Sequence, residues 1–187
     1  MRLDKLNYLN NQNFMIEKGQ GGGNTTTGLK FERHVDLLAL LSKTKGYSVK
    51  GNTIFYKDKE VAKSFRKNSL YIYLKSQGVN YIKIISKKLL PDEAIYVIVN
   101  NTLFIIEMKF QKVAGSVDEK LQTCDFKKKQ YKKLMSAINV DVEYIYILSD
   151  WFKHHSYKDT LDYIISVGCQ YYFEYLPLKK LGLPMPK

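Results

Sequence analysis

The sequence predicts an α/β protein in which a central mixed β-sheet is flanked by helices on both faces. Segments with apolar residues at helical spacing alternate with short segments rich in β-branched and aromatic residues, in the order α-β-β-β-α-β-α-β. Two of the central β-rich segments are apolar on both faces, as expected for strands that are covered on both sides. The chain of 187 residues can bury one sizeable core, so we expect a single compact domain.

An arm precedes this domain. Residues 17–28 contain five glycines and three threonines and no large apolar side chain. Such a composition is typical of a flexible connector. We therefore predict that residues 1–28 form an N-terminal arm and linker, and that residues 29–187 form the domain, which ends in an extended C-terminal tail.

The first half of the domain is predicted to contain two helices and a hairpin. The first helix can be capped by Thr25 or Thr27 and ended by Gly46, and its apolar residues recur at helical spacing: Phe31, Val35, Leu38 and Leu41. Residues 47–57 alternate in polarity about a glycine, which predicts a hairpin. A brief helix is predicted over residues 69–76.

The second half carries the stronger β signal. Three strands are predicted first, and then a helix, a strand, a helix and a final strand; they cover residues 81–86, 94–99, 102–110, 118–138, 142–150, 156–168 and 169–176. Asn100-Asn101 tolerates the positive φ angles of a type I′ turn, so the second and third of these strands are predicted to form a hairpin with a two-residue turn.

Composition limits the classes of function. The formal net charge is +12 and the pI is about 9.5, which favours a polyanionic partner, with nucleic acid first. Cys124 and Cys169 lie far apart without a CxxC motif, so we expect two buried thiols and neither a disulfide scaffold nor a thiolate zinc site. The sequence shows neither an apolar run that could span a bilayer nor a secretory signal, so we expect a cytoplasmic protein.

The predicted hairpin brings charged residues together. A two-residue turn pairs Ala94 with Glu107 and Asp92 with Lys109, and the alternation of side chains then puts Asp92, Glu107 and Lys109 on one face, remote from the turn. Two carboxylates beside a lysine can hold a hard divalent cation through oxygen ligands. The alternative is structural: Asp92 and Lys109 form a cross-strand ion pair, and Glu107 pairs with another lysine.

These residues resemble the signature of the PD-(D/E)XK nuclease superfamily. Pro91-Asp92 is followed, after 14 residues, by Glu107-Met108-Lys109. The predicted α-β-β-β-α-β order is similar to the common core of that superfamily, and Glu32 in the segment TGLKFE matches an acidic residue of its first helix. Residues 114–131, AGSVDEKLQTCDFKKKQY, resemble the segment after the catalytic lysine in type IIS restriction endonucleases.

The resemblance implies a set of roles. Mg²⁺ would be held by Asp92, Glu107 and the carbonyl of Met108, while Lys109 would orient or activate the attacking water and Glu32 would assist through a metal-bound water.

Glycine spacing in residues 23–28 is similar to that of a phosphate-binding loop, but the required Lys-Ser/Thr and the preceding strand are missing, so no nucleotide cofactor is expected.

The predicted helix after the site is strongly basic. Phosphate contacts would neutralise its clustered lysines and would supply affinity for double-stranded DNA without sequence information. The predicted DNA-binding residues are Lys127, Lys128, Lys129, Lys132 and Lys133, together with Gln111 and Gln122. The bland interpretation is a solvated basic helix.

Three functions follow as hypotheses. The first is the small catalytic subunit of a heterodimeric type IIS restriction enzyme, which cuts one strand while a larger subunit reads the sequence. A second is a homodimeric type II restriction endonuclease that recognises a short palindrome. A third, from a different class, is a non-catalytic accessory protein that binds nucleic acid through the same lysines. In that case the acidic residues have no functional role.

Overall fold

A computed structural model describes residues 28–30, 36–111 and 117–186. It confirms the predicted α/β class, with a seven-stranded mixed sheet flanked by helices. The helices are α1 (Leu37–Ser42), α2 (Ser69–Ser76), α3 (Val117–Leu121), α4 (Cys124–Ser136) and α5 (Lys158–Ser166). The strands are β1 (Gly28–Lys30), β2 (Tyr47–Lys50), β3 (Thr53–Tyr56), β4 (Lys59–Phe65), β5 (Glu93–Val97), β6 (Thr102–Lys109), β7 (Asp141–Leu148), β8 (Gln170–Phe173) and β9 (Tyr175–Pro177).

The large sheet follows the order of the chain, β2-β3-β4-β5-β6-β7-β8. Strands β2 to β6 form an antiparallel meander, whereas β7 is parallel to β6 and β8 is parallel to β7. Parallel neighbours need crossover connections, and α3, α4 and α5 supply them. A second sheet pairs β1 with β9.

Both faces of the sheet are covered, as predicted from its doubly apolar strands. On one face α2, α3, α4 and α5 pack over a core that includes Ile105, Tyr144 and Leu148. On the other face, α1, the small sheet and the C-terminal segment pack over Ile106 and Ile145. The described helices include none that is long and apolar enough to cross a membrane.

The first helix begins later than predicted. Asp36, with extended backbone angles, caps α1 by accepting a hydrogen bond from the Leu38 amide at 2.8 Å. The predicted caps and the first two apolar positions lie outside the described residues, as does Glu32. Gly46 does have a positive φ, of 82°, but it lies in the turn into β2, where a side chain would collide with the ring of Tyr56.

The hairpin over 47–57 and the helix over 69–76 are confirmed, whereas the strand over 81–86 is wrong. Tyr81–Lys83 forms a 3-10 turn that Asn80 caps. The neighbours Ile82 and Lys83 are both exposed, whereas Ile85 is buried, so exposure does not alternate along the segment as it does in a strand. The missing strand is β4, which follows a turn with positive φ at Lys57 and Asp58.

The register of the β5–β6 hairpin differs from the prediction by two residues. Val97, rather than Val99, pairs with Thr102, and Glu93 pairs with Ile106, so the connection has four residues (98–101) instead of two. A shift of two residues leaves every side chain on its predicted face, because side chains alternate with a period of two.

Three further predictions are corrected near the C-terminal half. The long helix is broken between α3 and α4 at residues 122–123, and the last strand divides at Glu174, whose φ is 53°. The tail is not extended over the surface: residues 178–181 form a 3-10 turn, and Leu178, Leu181 and Leu183 are buried beneath the sheet. Cys124 and Cys169 are both buried thiols, as predicted.

Candidate active site

The predicted charged residues meet at the end of the β5–β6 hairpin that is remote from its turn. The ammonium group of Lys109 lies 3.1 Å from Glu107 Oε2 and 3.7 Å from Asp92 Oδ2. Glu107 points into the interior, whereas the side chain of Asp92 is 49% exposed. The site is therefore a half-open cleft with one buried and one accessible carboxylate.

A second lysine, from α4, contacts the buried carboxylate. The ammonium of Lys127 donates to both oxygens of Glu107, at 2.8 and 2.9 Å. Burial raises the pKa of Glu107, but Lys109 and Lys127 together outweigh that effect and hold the pKa below its usual range. Glu107 is therefore ionised, and the four-residue cluster of Asp92, Glu107, Lys109 and Lys127 is formally neutral.

Tyrosines line the buried side of this cluster. The hydroxyl of Tyr144 is buried beside Glu107, and no well-formed hydrogen bond joins it to any residue in the described ranges. Burial, and then the charge of Glu107, raises the pKa of Tyr144 above its usual range, so the hydroxyl keeps its proton. Its polar interaction with Glu107 also helps to lower the pKa of that carboxyl group.

The backbone also presents an oxygen to the cleft. The amide of Ser149 donates to the Lys109 carbonyl at 3.0 Å, which therefore points toward β7. Successive carbonyls along a strand point to opposite neighbours, so the carbonyl of Met108 points toward the β5 side, where strand pairing has already ended at Glu93.

This donor set fits a hard divalent cation. Two carboxylates and one carbonyl are oxygen ligands of the kind that Mg²⁺ takes together with water. In the described ranges, no group of three or more His, Cys, Asp or Glu side chains could hold a metal without such help. The two ammonium groups now balance both carboxylates, so an ion that binds Glu107 has to displace at least one of them.

The lysines of α4 differ in their surroundings, and not all of them are exposed to solvent. Lys127 belongs to the cluster, Lys128 is buried against Glu143 Oε2 (3.0 Å) and the Gly168 carbonyl, and Lys129 pairs with Asp125. The prediction that Lys128 contacts DNA is therefore corrected, because its ammonium is already bound inside the protein. The two remaining predicted residues, Lys132 and Lys133, are exposed.

A sequence signal for this division existed. Lys127 and Lys128 fall on the same helical stripe as the buried residues of α4, which are Cys124, Tyr131, Leu134 and Met135. Positions three and four apart share one face of a helix, so the spacing alone indicates that these two lysines point inward.

The other predicted residues have different fates. Gln111 lies near the cleft. Its backbone amide donates to the Ser149 hydroxyl, and its carbonyl accepts from that hydroxyl, both at 3.1 Å. Its buried amide has no partner among the residues described here. Gln122 is exposed at the break between α3 and α4. The structure does not bring Glu32 into view, because it lies outside the described residues.

The opposite face of the same hairpin holds a cluster that the sequence did not reveal. Glu93 is 0% exposed, and its Oε1 lies 3.0 Å from Arg66 Nε, while Arg66 Nη1 lies 2.7 Å from Asp36 Oδ2. Burial raises the pKa of Glu93 to about 7; Arg66 lowers it, and the charge of Asp36 raises it. Its only signal in the sequence was its place beside Asp92.

Comparisons with known proteins give no relative for this chain: no family model matches it, and neither do any curated protein or solved structure.

Proposed function

We propose that the protein is a Mg²⁺-dependent endonuclease that hydrolyses DNA phosphodiester bonds. The observation that carries this proposal is the convergence of Asp92, Glu107 and Lys109 on one face of the β5–β6 hairpin, at a half-open end of the sheet. The resemblance of these residues to the PD-(D/E)XK signature, in a mixed sheet with helices on both faces, supports the same reaction.

Mg²⁺ held by Asp92, Glu107 and the Met108 carbonyl would supply charge neutralisation at the phosphate and a lower pKa for a bound water. In the hydrolysis the water oxygen forms a bond to phosphorus, the bond to the leaving sugar oxygen breaks, and the proton of the water is released while the leaving oxygen takes one up. Lys109 is placed to orient the water or to contact the phosphate, because its ammonium lies between both carboxylates.

Lys127 has a role in the same proposal. A phosphate that enters the cleft would offer both ammonium groups a new partner, so Lys127 would leave Glu107 for the phosphate and the carboxylate would be free to hold a cation. The exchange keeps every charge paired in a partly buried site, where an unpaired charge is costly.

We further propose that the chain acts as a small catalytic subunit. The longer resemblance in residues 114–131 is to type IIS restriction endonucleases, and one such centre cuts one strand. A larger subunit would then read the DNA sequence. The homodimeric type II enzyme remains the alternative, and it requires robust double-strand cutting by the purified chain alone.

Supercoiled plasmid tests the reaction directly. The protein is incubated with Mg²⁺, with and without the product of a neighbouring gene, and conversion to nicked and linear forms is followed on a gel. Nicking that requires the partner and is lost in Asp92→Asn supports the proposal. Metal-free DNA binding with no cleavage under any condition, in wild type and Asp92→Asn alike, would favour the accessory protein.

A further inference from the structure

A groove on the surface of α2 lies beside the candidate active site and has no role in the proposed chemistry. Its volume is about 540 Å³, within the range of small-molecule sites. The groove is lined by residues of α2 and of the turn that follows it, among them Asn68, Tyr71, Ile72, Lys75, Tyr81 and Lys88.

The region around the groove has an excess of positive charge that could bind an anion. Between residues 61 and 91 the chain has seven lysine and arginine residues and no aspartate or glutamate. The ammonium of Lys88 lies 5.1 Å and 4.9 Å from the ring centroids of Tyr71 and Tyr81, and 3.4 Å from Asn68 Oδ1. In the described part of the chain, neither Lys75 nor Lys88 forms an ion pair.

One exposed apolar side chain also lines the groove. Ile72 is 69% exposed although it lies in the middle of α2, and it lines the groove. Ile82 is equally exposed but does not line it. A ligand that suits the groove therefore combines an anionic group with a flat or apolar body.

The groove is tied to the active site through one short segment. The Leu89 carbonyl accepts hydrogen bonds from Tyr71 of α2 at 2.9 Å and from Tyr131 of α4 at 3.1 Å. Tyr131 lies one helical turn from Lys127, which contacts Glu107. Lys88 and Asp92 are four residues apart, so their Cα atoms are separated by at most about 14 Å, roughly four nucleotide steps along a strand.

We propose that this groove binds one unstacked nucleotide of the DNA strand that enters the candidate active site. Its phosphate contacts Lys75 and Lys88, and its sugar and base pack against Ile72. This inference rests on the proposed function in taking DNA as the polymer, but binding in the groove needs neither metal nor cleavage. It also moves the main contacts with DNA from α4, where three of the five predicted lysines are already paired, to the α2 region.

The test is binding of the full-length protein without metal, measured by fluorescence anisotropy. Two probes of equal length and charge are compared: a twelve-nucleotide thymidine strand and the same sugar-phosphate chain without bases. Wild type should bind the thymidine strand roughly threefold to tenfold more tightly, because packing the base on Ile72 removes roughly 30–50 Å² of apolar surface from water. Ile72→Ser should abolish this preference, while the control Ile82→Ser should keep it.

Charge is tested with the same probes. Lys88→Gln should weaken both strands by the same factor and lower the salt slope by roughly 0.7, one single-strand phosphate contact. Lys179→Gln, which removes an equally charged group from the opposite side of the sheet, should change neither. Circular dichroism spectra should be unchanged in every variant. The melting temperature should be unchanged for Ile72→Ser, Ile82→Ser and Lys179→Gln, whose side chains are exposed, and should fall slightly for Lys88→Gln, which loses two cation–π contacts.

Each remaining outcome decides between the two proposals. Equal binding of both strands, no binding at all, or a preference that survives Ile72→Ser would overturn the groove, even if plasmid is cut. A base preference that depends on Ile72, with no cleavage in Mg²⁺ even when the partner protein is present, would retain the groove and remove the nuclease. Loss of association with a partner protein in the groove variants, with DNA binding intact, would show a protein-docking surface and overturn the inference.

Discussion

The β5–β6 hairpin buries a carboxylate on each of its faces, and the two carboxylates differ in charge state. Glu107 on one face is contacted by the ammonium groups of Lys109 and Lys127, and its pKa is lowered. Glu93 on the other face has one guanidinium partner, Arg66, which it shares with Asp36, and its pKa is raised to about 7. Burial alone therefore does not determine the charge of these groups; the number of unshared cations does.

This difference separates a cation site from a structural ion pair. Glu107 is ionised and faces a cleft with a second carboxylate and an open carbonyl, so it can accept a divalent ion. Glu93 has no cleft, takes up a proton near pH 7, and competes with Asp36 for a single arginine. The comparison favours the Asp92–Glu107 face as the reactive one.

The largest expected effect is loss of cleavage when the carboxylates of that face are removed. Asp92→Ala or Glu107→Ala should abolish plasmid cleavage, because each removes a proposed metal ligand. Binding of DNA without metal should be kept or improved, since a negative charge near phosphate is lost. Glu93→Gln is the matched control and should cut at a rate close to wild type. Cleavage by either alanine variant at the wild-type rate would refute the metal site.

Lys109→Ala should lower turnover by roughly two to four orders of magnitude, the range of a positioned catalytic group. Metal binding should persist, because both carboxylates remain. Single-turnover cleavage and a calorimetric titration with Mg²⁺ measure the two quantities. If the folded variant keeps full specific activity and only its melting temperature falls, Lys109 serves the ion pair alone.

The faces of the hairpin could be predicted from the sequence although its register could not. Asn100-Asn101 indicated a turn but not its length, and a four-residue connection shifted the pairing by two. Because the shift is even, Asp92, Glu107 and Lys109 kept their common face. An odd shift would have put Asp92 on the face opposite Glu107 and Lys109.

Packing between distant segments explains the features that the local sequence pattern did not predict correctly. The strand predicted over 81–86 has the right alternation, but nothing covers one side of it, and Ile82 remains exposed. The tail has proline spacing typical of a surface segment, yet three leucines fill the face opposite α4. The Arg66–Glu93 contact joins residues 27 positions apart, where Arg66 directly follows β4 and Glu93 begins β5, so neither residue type nor spacing could reveal it.

The raised pKa of Glu93 predicts a pH dependence of stability that is opposite in sign to that of Glu107, whose pKa is lowered. A carboxyl group that holds its proton more tightly when folded stabilises the protein at low pH and loses that contribution as pH rises from 4.5 to about 7. The free energy of unfolding should fall by roughly 3 kcal/mol across this window. Urea unfolding should show a shallower decline in Glu93→Gln, whereas Glu60→Gln, an exposed carboxylate, should behave as wild type. Identical pH profiles for Glu93→Gln and wild type would contradict the raised pKa.

Lys127→Gln should separate the two proposed interactions of Glu107, which are its ion pair with Lys127 and its binding of Mg²⁺. A charge-assisted hydrogen bond contributes about 1.5–3 kcal/mol, so removing this competitor should tighten Mg²⁺ binding roughly tenfold in the absence of DNA. Turnover should fall at the same time, since the phosphate loses a partner. Calorimetric titration and single-turnover cleavage give both values, and Lys129→Gln, on the exposed side of α4, is the control. Weaker metal binding in Lys127→Gln would mean that the lysine only holds Glu107 in position.

The smallest expected effect concerns the exposed end of α4. Lys132 and Lys133 remain available for phosphate, so Lys132→Gln with Lys133→Gln should lower the salt slope of duplex binding by at most about two, at roughly 0.9 per contact. The effect should be equal for every sequence, because phosphate contacts carry no sequence information. Lys128→Gln should leave the slope unchanged and instead lower the melting temperature, since its ammonium is bound to Glu143 and the Gly168 carbonyl inside the protein. An unchanged slope in the double variant would place the duplex away from α4 altogether and leave the surface of α2 as its main contact.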